Sequence, residues 1–174
     1  GTPANGSGLW NDCVFASTQC IFACLNTAGH GGIGLDDENL NDVTRARLVR
    51  SAFFHKQRDA FWAFLIKDIE RVIRHAARLG LKPAIRLNGT TDVKWESTPV
   101  TKNGIRIANN IFELFQDVQF YDYTKYPYAK RPNSSLPANY HLTFSRSETN
   151  GADIAENLAN GRNVAVVFGI SSTD

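Results

Sequence analysis

The sequence predicts a mixed α/β fold around a parallel sheet, either curled as a (β/α) partial barrel or spread as an open doubly wound sheet. Three observations carry this. Segments with helical hydrophobic spacing alternate with short apolar, strand-like runs. The units recur every 20–35 residues or so, about the spacing of right-handed βαβ crossovers. No G-x-G-x-x-G follows any of the strand-like runs, which weakens the dinucleotide-binding version of the doubly wound sheet. The 174 residues suit one domain, 1–174, with a cysteine-bearing, glycine-rich lead segment at 1–35.

Within that lead segment the pattern predicts loop, with a short helical turn across Phe15–Leu25. Residues 38–54 follow as a helix, because Val43, Ala46, Val49 and Phe53 recur at helical spacing. Residues 59–79 make the strongest helix, with Trp62, Leu65, Ile66, Ile69, Val72, Ile73 and Ala76 on one face and Gly80 placed as its C-cap. A strand at Lys82–Asn88 is ended by Gly89-Thr-Thr-Asp92. A helix over Gly104–Phe115, with Ile107, Ile111, Leu114 and Phe115 inward, leads to a second strand at Val118–Tyr123. A proline-rich loop, Tyr126–Pro137, leads to a third at Tyr140–Ser145. A helix at Gly151–Ala159 turns through Asn160-Gly161 into a fourth strand at 163–168.

Composition narrows the class but not the function. Hydrophobic residues are 43% and charged residues 21%, as in an ordinary globular protein. No apolar run reaches the roughly 18 residues that a membrane span needs. Gly1-Thr-Pro-Ala-Asn-Gly-Ser-Gly8 has neither the charged nor the apolar region of a signal peptide, so a cytoplasmic setting is expected. Methionine is absent and a strand-like run lies close to the last residue, which leads one to expect a piece of a longer chain, truncated at both ends.

A net charge of +2 does not mark a nucleic-acid binder. Asp36, Asp37, Glu38 and Asp42 precede Arg45, Arg47, Arg50, His55, Lys56 and Arg58. Acid before base complements a helix dipole; the same basic run could instead hold an anion. Tyr121, Tyr123, Tyr126 and Tyr128 interleave with Lys125, Lys130 and Arg131, either as core and turn packing or as a stacking surface for single strands.

In both architectures ligands bind at the carboxyl ends of the strands. The first strand ends in Arg86, Asn88, Thr90 and Asp92. The second ends in Asp122, Tyr123, Thr124 and Lys125, and the third in Ser145, Arg146, Ser147 and Glu148. Arg86 and Asp122 stand out as charges inside apolar runs, costly to bury unless paired. They either pair with each other or serve a ligand.

The chain's three cysteines fall together as Cys13-x6-Cys20-x3-Cys24. A disulfide framework would spread an even number; three local thiols suit a shared ligand, a metal ion or an iron–sulfur cluster. Zinc needs a fourth ligand, for which His30 is the nearest candidate. Packing as small core hydrophobes, or a disulfide, is the alternative. His75 reads as helix surface, and His141 sits at the entry end of its strand.

The lead segment with its cysteine spacing, Leu81-Lys-Pro-Ala-Ile-Arg-Leu-Asn-Gly-Thr90, Val118–Lys125 and Asn139–Glu148 together resemble phage and plasmid proteins of the gene product 88 kind. That resemblance covers nearly the whole chain and implies a host-cell cytoplasmic setting, but no activity comes with it. The layout, a cysteine loop before β/α units, is also similar to radical S-adenosylmethionine enzymes. The resemblance implies a cluster at the mouth of a partial barrel, with S-adenosylmethionine as a further cofactor. The spacing differs from the C-x3-C-x2-C of those enzymes, and Asn88-Gly-Thr90 stands where they carry Gly-Gly-Glu.

Two expectations follow. In the first, Cys13, Cys20 and Cys24 hold an iron–sulfur cluster, or zinc as an alternative. Arg86, Asn88, Asp92, Asp122, Lys125, Arg146 and Glu148 then line a pocket for a small anionic ligand or nucleotide. In the second, the chain is a non-enzymatic module for single-stranded nucleic acid. It would use Arg45, Arg47, Arg50, Lys56, Arg58 and the Tyr121–Arg131 segment, with structural or zinc-bound cysteines.

Overall fold

The computed structural model describes residues 6–27, 30, 32, 33 and 41–168. Among these, α1 (Thr18–Phe22), α2 (Asp42–Lys56) and α3 (Arg58–Arg78) come first. Then follow β1 (Ala84–Ile85), β2 (Val100–Lys102), β3 (Ile105–Ala108), α4 (Ile111–Leu114), β4 (Gln119–Thr124), β5 (Tyr140–Ser145), α5 (Asp153–Ala159) and β6 (Asn163–Ala165). The fold is mixed α/β. β1, β4, β5 and β6 form a parallel sheet in that order, and β2 and β3 form a separate antiparallel pair.

The helices begin and end where local chemistry supports it. The Asn41 side chain accepts the Thr44 N–H at 2.9 Å and starts α2. Asp42 in its first turn and His55 and Lys56 in its last complement the dipole. The rest of the acidic run, Asp36, Asp37 and Glu38, lies outside the described residues. The expected apolar stripe of α2 does not form its buried side: Thr44, Ser51 and Phe54 are buried, and Val49 is exposed. The inner side of α2 meets the polar lead segment as well as the core, so Ser51 is buried against Asp12.

On α3, Trp62, Ile69 and Ala76 are buried, two turns apart. Its end is a Schellman turn: Leu81 N–H reaches the Ala76 carbonyl at 2.9 Å and Gly80 N–H the Ala77 carbonyl at 3.1 Å. Gly80, at φ +67°, takes the left-handed conformation this turn requires.

The helix expected over Gly104–Phe115 is a correction. Residues 100–108 form the β2–β3 hairpin, turned by Asn103 at φ 54° and Gly104 at φ 73°. Asn-Gly is the residue pair that such a two-residue turn prefers. Asp59, in the first turn of α3, accepts the Gly104 N–H at 2.6 Å and the Thr101 hydroxyl, which docks the hairpin. Helix survives only at Ile111–Leu114, capped by Asn110. Ile111 is fully buried, while Ile107 points outward on a strand.

The strands are shorter than the apolar runs suggest. β1 pairs over two residues only, following Pro83, which has no N–H to give. β6 ends at Ala165, and Val167 and Phe168 are exposed. The 125–139 crossover contains no α-helix, only 3-10 turns at Tyr128–Lys130 and Asn133–Ser135.

On β4 the residues alternate: Phe120, Asp122 and Thr124 are buried, while Tyr121 and Tyr123 face outward. The inward face joins a core of Trp62, Trp95, Phe112, Phe120, Tyr140 and Leu142. Phe112 stacks on Tyr140 at 4.1 Å and meets Phe120 edge-on at 5.0 Å. Burying each such side chain is worth roughly 1.5–3 kcal/mol. This core fixes the sheet whose carboxyl edge carries the polar residues.

Candidate ligand site at the strand ends

A cavity of about 800 Å³ lies over the carboxyl ends of β1, β4 and β5. Its scaffold side is lined by Arg86 and the 89–92 loop, Tyr123 to Lys125, and Ser145 to Glu148. Its roof is the lead segment, with Cys13, Ala16, Gln19, Cys20, Ile21, Cys24 and Leu25. All three cysteines therefore face one space with five of the seven strand-end residues expected there. No disulfide joins the cysteines, and each is half-buried.

The other two expected site residues, Asn88 and Asp122, do not line the cavity. They are 0% and 1% exposed and bond to each other beneath it. Asp122 accepts the Asn88 N–H at 2.8 Å, the Asn88 Nδ2 at 3.2 Å and the Tyr140 hydroxyl at 2.9 Å. Asn88 Oδ1 accepts from Thr91, the Val93 N–H and the Trp95 indole. One asparagine side chain thus shapes the 88–95 loop. Burial pushes the Asp122 carboxyl up to about 6, against the pull of these hydrogen bonds.

Asp92 stands at the boundary between the cavity and a buried ionic network. It accepts the Lys125 N–H at 2.8 Å, the Thr124 hydroxyl at 3.1 Å and Arg131 Nη1 at 2.9 Å. Desolvation raises its carboxyl above the ordinary range even so. Arg131 is 1% exposed and forks onto Glu96, with both bonds at 2.7 Å. Sequence reasoning missed this arginine as an interior group. Its basic, tyrosine-rich stretch was open to both core packing and a stacking surface, and its partners lie 35 and 39 residues away.

The cations of the cavity differ in what they already hold. Lys125 Nζ donates to the Ser145 carbonyl at 3.3 Å, the Ser145 hydroxyl at 3.2 Å and the Arg146 carbonyl at 3.4 Å. Arg86 donates to the Asn88 and Gly89 carbonyls at 2.9 and 3.3 Å and lies over the Tyr123 ring. Its nearest approach to Asp122 is 3.9 Å, so the expected pairing of the two is loose. Arg146 is exposed at the rim. Glu148 turns toward the roof: it accepts the Ser17 hydroxyl at 2.7 Å and the Gln19 N–H at 3.0 Å, and those bonds hold its carboxyl below the ordinary range.

The thiols have neighbours of their own. Cys13 Sγ lies 3.6 Å from the Thr90 carbonyl, and Cys24 Sγ accepts the Asn26 N–H at 3.4 Å. Burial raises the Cys20 thiol, Lys125 lowers it, and Cys24, Glu148 and Asp92 raise it further. Among the described residues no three His, Cys, Asp or Glu side chains stand close enough together to hold a metal ion. His30 is exposed.

The groups expected to meet nucleic acid are dispersed. Arg131 is interior, Arg58 lies 3.7 Å over the Phe54 ring, and Arg47 donates to Asn26. Tyr126 packs against Phe15 at 4.6 Å, while Tyr121 and Tyr123 are each 40% exposed. No helix is long and apolar enough to cross a membrane among the described residues.

Taken together, the protein is a mixed α/β chain with a cavity over the carboxyl edge of a parallel sheet, polar at the strand ends and largely apolar elsewhere, roofed by a cysteine-bearing loop. The family model described as Gene product 88 matches residues 1–171, and the chain belongs to that family. No curated protein and no solved structure matches it.

Proposed function

We propose that this family member is an iron–sulfur enzyme that holds its cluster on Cys13, Cys20 and Cys24 and acts on a small anionic ligand in the cavity below. The observation that carries this is that all three cysteines line the same 800 Å³ space as the strand ends. Thiols scattered for packing would not share one ligand-sized space. The donor set suits a cluster, since three thiolates are what a site-differentiated four-iron cluster needs. The sulfurs must draw closer together to ligate it, which a five-residue helix with no buried residue allows.

The bound cluster would supply an iron with an open position for a ligand's donor atoms. The chain's own residues do the rest. Arg146 offers its guanidinium to a carboxylate or phosphate. Lys125 adds charge while held on the Ser145 and Arg146 backbone. Asp92, with one oxygen on Arg131 and the other on Thr124 and the Lys125 N–H, fixes the cavity floor under the ligand. A nucleoside with an amino-acid tail, such as S-adenosylmethionine, falls within this ligand class. The sheet order supports the partial-barrel layout, because β1-β4-β5-β6 follows the chain without the reversal of a doubly wound sheet.

The test is anaerobic reconstitution with iron and sulfide, followed by metal analysis and visible absorption. The expected result is a brown protein with a cluster per chain, lost in Cys13→Ala, Cys20→Ala and Cys24→Ala alike. Colourless protein that takes up no iron would sink the reading. Stoichiometric zinc in its place would convert the site to a zinc site.

A further inference from the structure

Each cysteine of the roof has a chain neighbour that a charged side chain holds in place. Before Cys13, the Asp12 carboxylate lies 2.7 Å from His55 Nε2 and accepts the Ser51 hydroxyl at 3.2 Å, both from α2. Trp10 stacks flat on the His55 ring at 4.6 Å and fixes it from the side. Before Cys20, Glu148 grips Ser17 and the Gln19 N–H. After Cys24, Arg47 Nη1 donates to the Asn26 carbonyl at 2.5 Å and to Asn26 Oδ1 at 3.1 Å. Asn26 in turn gives its N–H to Cys24 Sγ.

Ring packing reaches the start of this segment, Trp10 on His55 and Phe15 on Tyr126, but little of it holds the stretch around Cys20 and Cys24. α1 buries no residue, and Ile21, Phe22 and Leu25 are exposed. A segment with so little burial opens easily unless polar ties hold it. The ties are not distributed at random along it. They fall beside Cys13, Cys20 and Cys24 and come from three parts of the scaffold: α2, the loop after β5, and the 90–92 loop, whose Asp92 N–H donates to the Asp12 carbonyl at 2.7 Å and whose Thr90 carbonyl lies 3.6 Å from Cys13 Sγ.

We infer that the Asp12–His55 pair, Glu148 and Arg47 are positioning residues, one per cysteine, that hold the three thiols over the cavity before any metal arrives. This rests on reading the cavity as the cysteine site, yet its test needs no cluster. Holding the segment over the cavity keeps the thiols in one region, so that only the final approach of the sulfurs is left to the binding step. It also gives Glu148, expected as a ligand contact, a different task.

The experiment is iodoacetamide labelling of iron-free, reduced protein, with the rate at each cysteine read by peptide mass spectrometry. His55→Phe should speed Cys13, Glu148→Gln should speed Cys20, and Arg47→Met should speed Cys24. Each rise should be roughly tenfold, the local opening that one charged hydrogen bond holds shut, with the other two sites within about twofold of the parent. A folded variant in which no rate changes, or in which all three rise together, overturns the assignment. If a scaffold variant fails to fold, Ser17→Asp decides the Glu148 case. Ser17 Oγ also caps α1 by accepting the Cys20 N–H at 3.2 Å. Aspartate keeps an N-cap acceptor while having no hydroxyl to give Glu148, so it should speed Cys20 without speeding Cys13 or Cys24. Iron uptake separates the two readings. Site-specific labelling with no iron keeps the positioning residues and discards the cluster. Iron uptake without site-specific labelling does the reverse.

Discussion

Replacing Arg131 by methionine tests whether the cavity floor is held by charge. The guanidinium is fully desolvated, and so is most of what it touches: side-chain exposure is 0% for Arg131, 2% for Glu96 and 10% for Asp92. Methionine keeps much of the stem's volume but strands two carboxylates. Removing one partner of a buried ion pair costs about 3–5 kcal/mol, because the carboxylates left behind lose the cation that compensates them. A domain of this size has only about 5–15 kcal/mol to lose. The melting temperature should therefore fall by about 10 °C, and the urea midpoint should fall with it. Trp62 and Trp95, both buried in the core beside this network, report the transition by fluorescence.

Two controls make the argument specific. Arg131→Met/Glu96→Gln/Asp92→Asn removes the stranded charges and should recover about half or more of the loss, since neutral replacements of a buried network are often tolerated. Lowering the pH should also rescue Arg131→Met, because carboxylates stranded by burial take up protons more readily in the folded chain than in the unfolded one. The variant and parent curves should converge toward pH 4 or so. An Arg131→Met protein within about 0.5 kcal/mol of the parent at neutral pH would refute the reasoning, since it would mean that water or a backbone shift solvates both carboxylates at little cost.

Asp122, raised to about 6 by burial, binds its proton in the folded state before the unfolded state does. Its contribution therefore favours folding at low pH and is lost as pH rises from about 4 through 6, a swing of about 3 kcal/mol, and Asp122→Asn should flatten that slope in urea titrations. Gly104→Ala places a Cβ at φ +73° and should cost about 1–2 kcal/mol by thermal unfolding; an unchanged midpoint would mean the turn relaxes to another type. Lys125→Met removes the charge that lowers the Cys20 thiol, so the pH dependence of Cys20 alkylation should move to higher pH.

The sequence exposed the parts of this molecule that short-range patterns control. α3 and β5 fall where periodicity puts them, because each has a clean apolar face. The cavity wall was legible through one topological rule, that polar residues at strand carboxyl ends face the ligand side. The β2–β3 hairpin was misread, although its turn was written in Asn103-Gly104. Ile107, Ile111, Leu114 and Phe115 fit a helix well enough to hide a break at Asn109-Asn110. Long-range charge pairing was legible only for the loose pair of Arg86 and Asp122, each standing out as a charge in an apolar run. Nothing local distinguishes Arg131, which is interior, from Lys130 beside it, which is exposed. The difference is made by Glu96 and Asp92, residues from a different loop.

Position along the strand likewise explains why two charged strand-end residues serve opposite sides of the site. Asp122 points inward on β4, in register with Phe120 and Thr124, so it can only meet the core and spends its acceptors on Asn88 and Tyr140. Lys125, one residue beyond the strand, is released from the alternation and reaches the cavity. Asp92 lies between these cases: one oxygen bonds the interior Arg131 and the other the Thr124–Lys125 backbone turn. It is the residue through which the buried network and the cavity share a charge. A change in the net charge of a bound ligand should therefore be felt at Arg131 and Glu96 through Asp92. Substituting Asp92 by asparagine, which keeps the shape but not the charge, is then the single replacement expected to alter stability and ligand affinity together. Arg146→Met, out on the rim, should lower affinity while leaving the unfolding midpoint where it is.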